Sequence, residues 1–279
     1  MKPLPIKKRR FYLFGFAFLF FVFIPVLILY STGYRLSGFR LIQTGGIFLS
    51  VPESGAVAII DSSIVKETGF FLKNIFVKNL KPETHSIKIT KDGFQEWYKE
   101  LMVYPQTVTE AHSFLLPNNP VLVEIQQFII STSTVGTTTP PKVSTTTVSN
   151  TEYKNVTALF STTTPQNPKR KLIIKNTDGV LRVAWSGTEE SMPYYFCSPT
   201  SCQKEINISL DSKIVSFSFF PGRDDLLVVK TSGGLFAVEI DNRSSQNIQT
   251  LAKKENIDFR IDDGVIYIKE GKKLFFISL

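Results

Sequence analysis

A mainly β chain carried on one N-terminal membrane helix is the fold class this sequence predicts, and three observations predict it. Residues 11–30 contain no charged side chain. Residues 45–117 and 166–279 alternate apolar and polar positions between Gly- and Asp-containing turns, the period of strands. A Ser/Thr-rich stretch, residues 131–165, lies between them. The 279 residues allow two modest domains and exclude a long solenoid. A hydrophobic fraction of 43% excludes wholesale disorder.

The net charge of +8 is unevenly placed. Residues 1–10 carry Lys2, Lys7, Lys8, Arg9 and Arg10 and no acid, which is +5. The remaining residues carry 27 basic against 24 acidic side chains, which is +3. The body is nearly balanced, so the charge calls for no nucleic-acid partner. Residues 11–30 follow as FYLFGFAFLFFVFIPVLILY, seven of them Phe. At about 1.5 Å per residue they span about 30 Å, the thickness of a bilayer's hydrocarbon core. Tyr12 and Tyr30 stand near the two ends, where amphipathic rings favour the headgroup region. Pro25 and Gly15 are tolerated in such a helix. The run Lys7, Lys8, Arg9 and Arg10 is the topology signal: it holds a basic tail (residues 1–10) in the cytoplasm and places the rest outside, across the plasma membrane. A cleavable signal peptide is the competing reading, with Ser31-Thr32-Gly33 as the place to cut. The span exceeds the 7–15 residues usual for such a peptide, which favours an uncleaved anchor.

Residues 31–44 are a juxtamembrane segment in which Arg35 and Arg40 read as solvated or resting near headgroups. In 45–117, Ile47, Leu49 and Val51 alternate with Phe48 and Ser50 until Pro52 stops the run. Gly55–Asp61 is a second run, Ile87 and Ile89 belong to a third, and Lys91-Asp92-Gly93 is a turn. Phe94–Val103 and Thr107–Leu116 complete the set. Short strands at this spacing argue for a small β-sandwich. Residues 118–165 read as a linker. From 131 it holds 5 Ser and 13 Thr with Pro140, Pro141 and Pro165, a composition that cannot bury enough apolar area to offset chain entropy. It reads as a spacer, glycosylated or not, or as an inert insertion; Val156, Leu159 and Phe160 already have the character of the next domain. Residues 166–279 return to strands, among them Tyr194–Cys197, Ile214–Phe220, Leu226–Thr231, Leu235–Ile240, Val265–Ile268 and Leu274–Ile277, separated by Gly-containing turns.

Two resemblances follow from these residues. The order GGIFLSVPESGAVAIID, KNLKPETHSIKITKDGFQEW and VTEAHSFLL resembles a PEGA domain, through Pro52, Glu53, Gly55 and Ala56, then Leu80 and Pro82, then Gly93 and Phe94, then Leu115. Ser54 interrupts the tetrad, and Glu83-Thr84 stands where that family has Pro-Gly. The resemblance implies a structural β-module of the cell envelope and carries no catalytic residue. SFSFFPGRDDLLVVKTSGGLFAVEID resembles a blade of a TolB-like β-propeller, and FRIDDGVIYIKEGKKLFFISL part of the next. Residues 166–279 make only two to three blades of about forty residues, short of the roughly four a closed propeller needs. The expectation is an incomplete propeller, with an open stack, a sandwich or closure by oligomerisation as alternatives.

Chemistry is sparse. Cys197 and Cys202 are the only cysteines. Placed outside the cytoplasm around a Pro-containing turn, they are expected to form a disulfide. His85 and His112 read as strand residues, and no metal or cofactor site is expected. Asp224-Asp225 and Asp262-Asp263 read as turn residues, with calcium the sharper alternative. Neighbouring acids cannot flank a glycosidic bond from opposite faces. Trp97, Tyr98, Tyr194, Tyr195 and Phe196 read as core, with sugar or peptide stacking as the alternative. The functional expectation is a non-catalytic envelope protein whose partners are the lipid bilayer, through residues 11–30, and an envelope polymer or another protein. An envelope hydrolase with a site in the distal region, and a sensor or regulatory subunit of a membrane complex, are the competing classes.

Overall fold

A computed structural model describes residues 5–69, 73–127, 145–161, 171–198 and 201–279. The chain is mainly β with one N-terminal apolar helix. That helix, α1, runs Ile6–Ser31 with Pro25 inside it and no buried residue. It is long and apolar enough to cross a membrane. Its last carbonyls are capped locally: Thr32 N and Thr32 Oγ1 both donate to Ile28 O, at 3.0 and 2.8 Å. A hairpin, Tyr34–Ser37 paired with Arg40–Gln43, follows at once.

Residues 45–117 form two sheets. In the first, Gly45–Ser50 lies between Asn74–Leu80 (antiparallel) and Val108–His112 (parallel). The second has the order Ser63–Glu67, Val57–Ile60, Thr84–Thr90, Trp97–Met102. Alternation explains which side chains turn inward. Ile47 and Leu49 come from the first sheet; His85, Ile87 and Ile89, with Trp97, Lys99 and Leu101 opposite them, come from the second. Gly45 is needed for closeness, since a Cβ there would lie 2.3 Å from Tyr104 O.

Among the described residues the distal region has three larger sheets and one short two-stranded pair, Cys197–Ser198 with Ser201–Cys202. Leu172–Thr177, Val180–Trp185 and Glu205–Ile208 form one, and the meander Ile214–Phe219, Leu226–Thr231, Gly234–Glu239, Ile248–Ala252 forms the next. Ile257–Asp262, Val265–Glu270 and Lys273–Ser278 form the third. That third sheet corrects the expected linker. Val121–Gln127 pairs antiparallel with Lys273–Ser278, and Thr145–Val148 pairs parallel with Val121–Gln127. The free edge of Lys273–Ser278 is thereby covered, with Ile125 buried in the process. A second helix, Asn150–Leu159, begins with a capping box between Ser149 and Glu152. Leu159 O accepts from Arg260 Nε at 3.2 Å, tying the helix to the third sheet. The Ser/Thr-rich stretches 131–144 and 162–165 lie outside the described residues.

A second correction concerns Tyr194–Cys197, expected as a strand. Tyr194–Phe196 is a 3₁₀ turn that Pro193 opens at φ −60, with Phe196 N donating to Pro193 O at 3.0 Å. The two β-regions share one hydrophobic cluster, which contains Ile47, Trp97 and Leu116 together with Leu235, Leu251 and Phe259. A separate cluster, built from Leu181, Phe196, Ile206 and Val238, belongs to the distal region alone.

Candidate functional site

The sheet edge that residues 45–117 present to the distal region is the strand Trp97–Met102. Its burial alternates strictly, with Trp97, Lys99 and Leu101 inward. Lys99 therefore stands in an apolar row, wholly buried. A buried ammonium needs several partners. The distal region supplies them from the end of Gly234–Glu239 and the loop after it. Lys99 Nζ donates to Glu239 Oε2 at 2.9 Å, to Asp241 O at 2.8 Å and to Ser245 O at 3.4 Å. Asp241 Oδ2 lies 3.7 Å away.

Two arginines extend the network, each held by a carboxylate two residues away. Arg243 Nη2 donates to Asp241 Oδ2 at 2.7 Å and to Glu110 O at 2.7 Å. Arg223 donates from Nε and Nη2 to Asp225, both at 2.7 Å, and from Nη1 to Ser113 O at 3.1 Å. Each guanidinium thus ties a distal turn to the backbone of residues 110–113. Burial pulls both arginine pKa values down, and the paired carboxylates more than reverse this. Burial pushes the Glu239 carboxyl up; Lys99 opposes the shift and Asp241 adds to it, and the net direction is upward. Glu239 Oε1 is buried without a hydrogen-bond partner, while Oε2 also accepts from Asn247 Nδ2 at 2.9 Å. By formal charge, Lys99, Arg223 and Arg243 match Glu239, Asp225 and Asp241, and His112 links Asp225 (4.0 Å) to Glu110 (2.7 Å).

Side-chain amides complete the junction. Gln95 donates to Thr250 O at 2.9 Å and accepts from Thr250 N at 2.8 Å, which imitates one rung of a ladder. Gln249 accepts from Leu116 N at 2.7 Å and donates to Phe114 O at 3.1 Å. Tyr98 N donates to Asn247 Oδ1 at 2.9 Å, occupying a donor on the sheet edge. Tyr194 OH accepts from His112 N at 3.1 Å, and its ring packs against His112 at 4.8 Å. Desolvation raises the Tyr194 phenol well above its ordinary range, which keeps it neutral.

Beside this network the junction opens as a cleft of about 700 Å³. Glu100, Val108 and Glu110 line one wall, and Tyr194, Arg243 and the Cys197 hairpin line the other. The cleft is chemically mixed, with apolar side chains beside a cation and carboxylates. Among the described residues no three His, Cys, Asp or Glu side chains converge to hold a metal ion.

The residues singled out in the sequence fall in three places. Lys7, Lys8, Arg9 and Arg10 are exposed on the first turns of α1. Cys197 and Cys202 form a disulfide across the short antiparallel pair Cys197–Ser198 and Ser201–Cys202, at the rim of the cleft. Pro52, Glu53, Gly55 and Ala56 form the turn between Gly45–Ser50 and Val57–Ile60. There Gly55, at φ +71, donates to Thr68 O at 2.8 Å and Ala56 is fully buried. Gly93, at φ +81, opens the turn carrying Phe94. Lys91 brings the two turns together, with Nζ 3.4 Å from Glu53 Oε2 and 4.3 Å from the Phe94 ring. Ala56 belongs to the hydrophobic cluster shared with the distal region and Phe94 packs against it, so these turns support the junction from within its core. Of the aromatic candidates, Trp97, Tyr195 and Phe196 are buried and Tyr98 is exposed.

The charged network itself was missed by sequence reasoning. Its signals were present in outline: a lysine in phase with Trp97 and Leu101, and two Arg/Asp pairs at a spacing of two. No family model matches this chain, and no curated protein matches it.

Proposed function

We propose that this chain is a membrane-anchored, non-catalytic protein of the cell envelope that displays one composite β-head outside the cytoplasm for binding or scaffolding. The observation that carries the reading is the junction. A shared core and a network of charged side chains centred on the buried Lys99 join residues 45–117 to the distal sheets, making a stiff head on a single apolar helix. Binding energy is not spent on ordering two loosely tethered modules. In this reading residues 45–117 are a PEGA-like sandwich. The three larger distal sheets are blades of an incomplete propeller, the last completed by Val121–Gln127. The partner is an envelope polymer or another envelope protein, and the cleft beside Arg243 is its site.

Topology is tested with single cysteines in intact cells. Lys272→Cys, in an exposed turn of the head, is expected to react with a membrane-impermeant maleimide, and Lys7→Cys only after lysis. The reverse pattern overturns the reading. Binding is tested by co-sedimentation of the full chain with purified envelope polymer, and by co-purification of envelope proteins. Val108→Arg, an exposed wall position of the cleft, is expected to abolish the capture that wild type shows. Hydrolysis of the polymer by wild type would instead favour the enzyme class.

A further inference from the structure

The hairpin between α1 and the head has an unusual surface. It forms a sheet of two strands that no other strand among the described residues joins. Isolated two-stranded hairpins are marginal in water. Its register pairs Leu36 with Leu41 directly, and Arg35 and Arg40 fall on the opposite face, where they pair with Ile42 and Ser37. Leu36 and Leu41 are exposed, and Phe39 at the tip is completely so. The base is fixed. Thr44 donates to Gly33 O from N at 2.9 Å and from Oγ1 at 2.8 Å, and Gln106 Nε2 donates to Thr32 O at 3.2 Å. The apolar tip stands clear of these ties.

Position supplies the occupant. Only Thr32 and Gly33 separate the last residue of α1 from the hairpin, at most about 10 Å of chain. Charge agrees: no acid precedes Glu53 in the sequence, and Arg40 makes no ion pair among the described residues. Arg35 is folded back on the helix end, with Nη1 donating to Tyr30 O at 2.7 Å and the guanidinium 3.8 Å from the Tyr30 ring. Aromatic and cationic side chains together are what the lipid–water interface favours.

We infer that the hairpin Tyr34–Gln43 is a second membrane contact, dipping Leu36, Phe39 and Leu41 into the headgroup–acyl boundary of the leaflet on the head's side while Arg40 meets lipid phosphate. This rests on the reading of α1 as a membrane span. Its consequence is orientation: a helix alone lets the head swivel, whereas a helix and a hairpin fix which side of the head faces the membrane.

The test uses the full chain in vesicles of phosphatidylcholine and phosphatidylglycerol. The native Trp97 and Trp185 both lie in the head, so wild type provides the background. Phe39→Trp is expected to lose most of its added emission to lipids brominated near the headgroup and little to aqueous iodide. Phe20→Trp, in the middle of α1, reports on the span through lipids brominated deep in the chain. Quenching at position 20 with none above background at position 39 overturns the hairpin contact and leaves the span standing. No quenching at either position overturns both. Adding Arg40→Glu to Phe39→Trp is expected to reduce the shallow quenching in these anionic vesicles. An unchanged signal overturns the role given to Arg40.

Discussion

At the junction, Lys99 meets Glu239 and Asp241 with all three side chains at most 2% exposed. Inside residues 45–117, His85 meets Asp61 at 2.5 Å with the carboxylate 49% exposed. The chemistry is similar, a base against an acid, yet the surroundings differ. Without water, Lys99 depends entirely on protein groups, and losing any of them strands a charge. Asp61 keeps half its surface in solvent, which screens the pair and can replace it. The junction therefore stands or falls as a unit, while the His85 pair only adjusts stability.

The largest loss of stability is expected from Lys99→Met. It leaves Glu239 and Asp241 buried without their ammonium, and a loss of about 3–5 kcal/mol is expected from urea unfolding of the detergent-solubilised protein. A loss below about 1 kcal/mol, the range of an exposed pair, would show that Lys99 is no more critical than the His85 pair. Adding Glu239→Gln to Lys99→Met should cost less than the sum of the two single changes. The coupling should fall within about 0.5–3 kcal/mol, because the two groups share one interaction. Reduction of Cys197–Cys202 sharpens the contrast with a covalent link. The loop it closes is short, and about 2 kcal/mol is expected on the chain-entropy account. That loss should add independently to the Lys99→Met loss, since the disulfide touches none of the network's hydrogen bonds.

Much of this architecture is legible in the sequence, and the parts that are not share a cause. The apolar helix, the turns at Gly55 and Gly93 and the strand alternation rest on local rules, and neighbouring residues suffice to read them. The Cys197–Cys202 bond is five residues wide in sequence, so local geometry suffices there too. Val121–Gln127 fails because its partner is Lys273–Ser278, and nothing in the segment VLVEIQQ names a strand at the far end of the chain. Lys99 fails in the same way. Its phase with Trp97 and Leu101 marks an inward side chain, but its charge reads as an exposed one, and Glu239 lies 140 residues away. Tyr194–Phe196 fails for a local reason, because aromatic residues suggest a strand and Pro193 sets a turn instead.

The smallest expected effect is the pH dependence of the Asp61 pair, and its sign follows from the partners. Burial alone lowers the His85 pKa, but hydrogen bonds to Asp61 and to the Lys81 carbonyl, with the charges of Asp61 and Glu83, raise it above 6.5. Burial alone raises the Asp61 pKa, but the bond to His85 and the Ser86 amide bring it below 3.8. A raised histidine contributes stability that is complete below the unfolded value of 6.5 and is lost as pH rises through the folded one. A lowered aspartate contributes stability present above 3.8 and lost as pH falls through its folded value. The two overlap between pH 3.8 and 6.5, where the pair is worth most. Asp61→Asn is the sharp probe. Position 61 has φ +47, which Asn tolerates, and its amide oxygen can still accept from Ser86 N. The stability gap between wild type and Asp61→Asn should be widest near pH 5.5 and close as pH passes through the raised His85 value; the His85 ring proton should titrate lower in the variant. A gap that stays constant from pH 5 to 9 would show that the contact is an ordinary hydrogen bond, whose contribution does not depend on the ionisation of His85.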